Sequence, residues 1–122
     1  MLAHERLQAW KLCHELVLVT YAATASFPKT ELYGLTSQAR RAAFSAAVNI
    51  AEGAAKRGPA EFRRYLDISI GSLAELAYTL RVARDLNLLD SENWSRVERI
   101  RRQAGVMTWK LYAAVARAVK RG

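Results

Sequence analysis

The sequence predicts an all-α chain, an antiparallel up-down-up-down four-helix bundle, and three observations carry that expectation. Apolar residues recur at three- and four-residue steps through four long segments. Short connections containing Pro, Gly, Asn and Asp divide those segments. Almost nothing in the chain alternates apolar and polar residues as a half-buried strand does.

The first helix is expected from about His4 to Phe27, where Leu7, Trp10, Cys13 or His14, Val17, Tyr21 and Thr24 repeat at helical spacing. Phe27-Pro28 ends it, because proline disfavours a helical residue before it. Leu35 or Thr36 starts the second helix, and Gly53 and Gly58 bracket its end. Pro59 suits the first turn of a third helix, where its missing N–H costs nothing. That helix runs to about Leu86 with Phe62, Leu66, Ile70, Leu73, Leu76, Ala77, Leu80 and Ala83 as its apolar face. Asp90 or Ser91 caps a fourth helix, whose inward row is Trp94, Val97, Ile100, Ala104, Met107, Leu111, Val115 and Ala118. Short connections make sequential helices antiparallel, so residues 1–122 form a single four-helix bundle domain.

Composition agrees. A chain of 122 residues with 52% hydrophobic content supports one core, and 25% charged residues keep it soluble. The one cysteine, Cys13, has no internal partner and reads as a buried thiol in a reducing compartment. No apolar run of about 20 uncharged residues occurs, and no signal-peptide core stands at the N-terminus, so the expected location is the cytoplasm, with no membrane partner.

The second helix is the most informative segment. Small apolar residues fill much of it, while Gln38, Arg41, Ser45, Asn49 and Glu52 form a polar ladder along one face. With helices two and three antiparallel about a turn near residues 57 and 58, facing residues have numbers that sum to about 116. Arg41 then meets Glu75, Asn49 meets Asp67, Glu52 meets Arg64, and Ser45 meets Ser72. The structural expectation is that these groups satisfy one another, shielded from water, and fix helix register. The alternative is that Arg41, Glu52 and Glu75 form a site.

A resemblance rests on these same residues. Phe27-Pro28, Glu31, Tyr33-Gly34-Leu35-Thr36, Gln38, Arg40-Arg41-Ala42, Ser45, Asn49-Ile50-Ala51-Glu52-Gly53, then Phe62, Leu66, Gly71-Ser72 and Glu75-Leu76 resemble a four-helix bundle family. That family is named after proteins encoded in intervening sequences of 23S ribosomal RNA genes, and it is similar to the accessory variability determinant of diversity-generating retroelements. The match is dense from Tyr21 to Leu80. The resemblance implies a homopentamer and, in the retroelement branch, a basic protein that binds nucleic acid and a reverse transcriptase. It implies no known enzymatic activity, and no cofactor is expected.

Charge is the other strong signal: 19 Lys and Arg against 11 Asp and Glu give +8 and a pI near 10.2. Anionic partners are favoured, RNA or DNA among them. The candidate contacts are Lys56, Arg57 and Arg63 at the turn between helices two and three, and Arg96, Arg99, Arg102, Lys120 and Arg121 on the fourth helix. Neither region shows aromatic residues interleaved with its arginines in the manner of an RNA-reading sheet, so backbone contact with slight sequence preference is expected. A solvated basic face is the bland alternative.

Catalytic patterns are weak. His4 and His14 are ten residues apart in the first helical segment, which places them on nearly opposite sides rather than as a metal pair. Gly53-Ala-Ala-Lys-Arg-Gly58 lacks the Lys-Ser or Lys-Thr that a phosphate loop needs after its second glycine. Glu31, Glu52 and Glu75 have no nucleophile or metal pattern to serve, so no enzyme is expected. Trp10, Trp94 and Trp109 read as core or interface anchors, and the first and fourth helices carry more large apolar residues than one bundle needs. A self-associating protomer follows, with an adaptor or purely structural assembly as the alternative function.

Overall fold

A computed structural model describes residues 1–122. Four helices, α1 Gln8–Thr24, α2 Leu35–Ala54, α3 Pro59–Asp85 and α4 Ser91–Arg121, alternate in direction and contain no strand between them. Each packs on its chain neighbours, and α4 closes the ring on α1, while the two diagonal pairs stay apart. The fold is the expected four-helix bundle.

Local chemistry explains the boundaries. The first helical segment is split: Ala3–Arg6 forms a separate 3-10 turn, and Leu7, in extended conformation, separates it from α1. Gly58 closes the α2–α3 turn at φ +84°, the left-handed region that glycine enters freely, and Pro59 follows at the first helical position. Asp90 caps α4, its Oδ1 accepting from the Asn93 amide N–H at 2.7 Å. Gly53 and Gly58 bracket the end of α2 at Ala54, as expected; a Cβ at Gly53 would stand 2.7 Å from Tyr65 Cβ and 2.9 Å from Phe62 Cδ1, so the role of this glycine is close approach of α3.

The core sets large aliphatics on α1, α3 and α4 against a mostly alanine face on α2. Leu16, Leu66, Leu76, Leu80 and Val97 are fully buried, and α2 opposes them with Ala39, Ala42, Ala43, Ala46, Ala47 and Ile50. Burial of each leucine contributes about 1.5–3 kcal/mol. The alanine surface draws α3 close enough for Ser69 Oγ to donate to the backbone carbonyl of Ala46 at 2.9 Å. On α4 the buried positions run from Val97 to Thr108, and beyond them Leu111, Tyr112 and Val115 are half-buried.

The polar ladder is where the structure departs from expectation. Ser45 and Ser72 hydroxyls meet at 2.7 Å, so the expected register is correct. The charged pairings are not made. Arg41 and Glu75 are both exposed and form no ion pair with each other; Arg64 pairs with Glu61 at 3.1 Å rather than with Glu52; and Asn49 donates to the Ser45 carbonyl at 2.8 Å rather than to Asp67. The cause is geometric. Numbers that sum to about 116 place residues at one level, but the line of closest approach is occupied by Ala46 and Ser69, leaving the long side chains on the outer flank.

Candidate nucleic-acid interface

The turn between α2 and α3 projects Lys56 and Arg57 into solvent, since Gly53 seats α3 tightly and Gly58 reverses the chain at once. Arg64 is exposed beside them and Arg63 is half-buried. The half-buried Tyr65 carries the Arg64 guanidinium 4.8 Å from its ring centroid and the Lys56 ammonium at 5.5 Å. Cation–π contact of this kind orders two cations that would otherwise be free. An aromatic residue therefore does sit within the basic turn, its ring already taken by protein cations. The adjacent Phe62-Arg63-Arg64-Tyr65 run was a readable signal of it.

On α4, Arg96, Arg99, Arg102, Lys120 and Arg121 are all exposed. Arg102 lies 3.7 Å from the Glu98 carboxylate, which is held mainly by Arg101, with Nη2 donating to Oε1 at 2.8 Å. The hydrogen bond from Arg101 keeps the Glu98 carboxyl below the usual carboxylate range, against the opposing effect of burial. Arg99 and Lys120 are about 31 Å apart along the helix, too far to act on one phosphate cluster. Lys120 and Arg121 lie at the end of the bundle that carries the α2–α3 turn; Arg96, Arg99 and Arg102 lie farther along the shaft. The structure thus divides the candidate cations into two groups.

Other features bear on chemistry. A groove of about 450 Å³ runs between α1 and α4, lined by Gln8, Leu12, Arg102, Gln103, Val106 and Met107, without a carboxylate, histidine or thiol. No three His, Cys, Asp or Glu side chains cluster as metal ligands would. His4 and His14, expected on opposite sides, both meet Trp10, His4 edge-on with ring centroids at 4.6 Å and His14 stacked at 5.1 Å; the break at Leu7 removes His4 from the periodicity of α1. Trp10 and Trp94 pack against the core, whereas Trp109 is 59% exposed and stacks on Tyr112. Arg40, named above only within the family resemblance, ties α2 to α1: its Nε donates to Thr24 Oγ1 at 2.9 Å while its guanidinium covers the Tyr21 ring at 4.5 Å. Beside it, Leu18, Tyr21 and Phe44 leave an apolar patch exposed across α1 and α2.

No helix is long and apolar enough to cross a membrane. No curated protein matches the chain by sequence. Residues 5–110, most of the chain and all of α1, α2 and α3, match one described family: the chain belongs to the 23S rRNA-intervening sequence protein family.

Proposed function

We propose that the protein is a non-enzymatic, oligomeric scaffold that holds RNA or DNA by its phosphates, without strong sequence preference, in the cytoplasm and beside a nucleic-acid enzyme. Five copies is the number suggested by the family resemblance. The observation that carries the reading is the state of its cations: 16 of the 19 Lys and Arg side chains are exposed, and only Arg64, Arg81, Arg101 and Arg102 have a carboxylate partner. Unpaired surface cations displace counterions from a phosphate backbone, and a ring of copies multiplies the effect. The exposed Leu18, Tyr21 and Phe44 supply an apolar surface for self-association, and closed symmetry would hide it on every chain.

That same patch supports a second reading, in which assembly or protein adaptation is the whole function and the charge serves solubility. Electrophoretic mobility shift with mixed-sequence RNA and DNA across a salt series separates the two. Binding that weakens steeply with salt supports the first; no binding at low salt, from a protein whose mass by light scattering is a multiple of 13.7 kDa, leaves the second.

A further inference from the structure

We infer that the phosphate-binding face is one end of the bundle, the end formed by the α2–α3 turn and the last turns of α4, and that the flank of α4 takes no part. The inference rests on the nucleic-acid reading above and assigns its site.

Four contacts set the register between neighbouring helices. Arg40 with Thr24 levels α2 against α1, Ser45 with Ser72 levels α3 against α2, Arg84 over the Trp94 ring levels α4 against α3, and Cys13 Sγ near Thr108 Oγ1 levels α4 against α1. Carried along each helix at 1.5 Å per residue, they bring residues 1–11, 52–66 and 110–122 to the same end. That slice is under a third of the chain, yet it holds ten Lys and Arg against three Glu, a net +7. The remaining residues hold nine against eight, a net +1. Nearly the whole excess charge of the protein is therefore displayed at one pole.

The two groups also differ in pairing. Of the ten cations at the pole, only Arg64 has a carboxylate partner, and only Arg63 is less than exposed. On the shaft, by contrast, Arg96, Arg99 and Arg102 share their surface with Glu92 and with Glu98, which already holds Arg101 and lies near Arg102. A pole of like charges costs the fold self-repulsion, and a polyanion relieves it; a shaft whose charges nearly balance offers little such gain. Six of the ten polar cations are arginines, whose planar fork suits phosphate oxygens. They come from the N-terminal turn, the α2–α3 turn, the first turns of α3 and the end of α4, a convergence of separate elements that fits a chain laid across the end of the bundle.

The test compares two variants of the full protein, both confirmed to fold by circular dichroism and to keep the parent's mass by light scattering. The pole variant carries Lys56, Arg57, Lys120 and Arg121 each changed to Gln; the shaft variant carries Arg96→Gln, Arg99→Gln and Arg102→Gln. Affinity for a mixed-sequence DNA duplex is measured across a salt series by fluorescence anisotropy. The expected result is that the pole variant loses about 3 to 4 from the magnitude of the slope of log affinity against log salt, at about 0.9 per phosphate contact, while the shaft variant keeps the parent slope. Loss in the shaft variant with the pole variant unchanged overturns the site but leaves nucleic-acid binding standing. A parent that binds no duplex or single strand at low salt overturns both. A parent that prefers vesicles of anionic phospholipid to nucleic acid at equal salt overturns the ligand assigned to the pole.

Discussion

Gly53 sets how closely the basic turn is held, and adding one methyl group there measures that closeness. On an exposed helix position, Gly→Ala stabilises by about 1 kcal/mol through helix propensity. At position 53 the new Cβ meets Tyr65 Cβ at 2.7 Å and Phe62 Cδ1 at 2.9 Å, whereas carbon atoms are comfortable at about 3.5–4.0 Å. The obstructing Tyr65 atom is the root of its side chain and moves only with the α3 backbone. Overpacking of this kind costs about 1–3 kcal/mol, so the net effect of Gly53→Ala is a destabilisation of about 1 kcal/mol, with 2 as the upper end. Gly71 provides the matched control: it is exposed in the middle of α3 with nothing within 4 Å of its would-be Cβ, so Gly71→Ala stabilises by about 1 kcal/mol. Urea unfolding of both variants at one protein concentration gives the comparison, since assembly makes apparent stability depend on concentration. If Gly53→Ala is as stabilising as Gly71→Ala, the close-approach account of this glycine is wrong.

Arg41→Ala is expected to change stability by less than about 0.5 kcal/mol in urea unfolding, as befits an exposed side chain without an ion pair; a loss of several kcal/mol would restore the shielded Arg41–Glu75 pair. Glu98, held below its ordinary range by the hydrogen bond from Arg101, binds its proton more weakly folded than unfolded. Its contribution to stability is therefore fully present above the unfolded carboxylate value of about 4.3 and is lost as pH falls through the lower folded value. Stability against pH should fall less steeply on acidification in Glu98→Gln than in the parent, and equal slopes would count against the pairing. The Cys13 thiol, fully buried and pushed up to about 11 by desolvation, should resist alkylation by iodoacetamide at pH 8 until the chain is unfolded; stoichiometric labelling of the native protein, read by mass spectrometry, would show that α1 opens.

The sequence by itself determined the fold class, the four helices and the level at which α2 and α3 face each other, because helical periodicity, Pro, Gly and Asp signals, and short connections are local properties. Ser45 opposite Ser72 came out of numbering alone. It also held enough, at Phe27-Pro28 and from Tyr33 to Leu76, to point to the family that residues 5–110 match. Azimuth was beyond it: levelling two helices does not say which side chains lie on the line of contact, so Arg41 and Glu75 share a level, as do Glu52 and Arg64, without forming ion pairs in the fold. Nor could the sequence separate the cations of α4 into a shaft and a pole, since charge along a chain becomes a surface only when other segments come level with it. The close approach of α3 at Gly53, the tie from Arg40 to Thr24 and the gathering of Lys56, Arg57, Lys120 and Arg121 at one end were decided by tertiary packing. Each depends on how closely separate helices approach, and that distance is set by all the side chains between them at once.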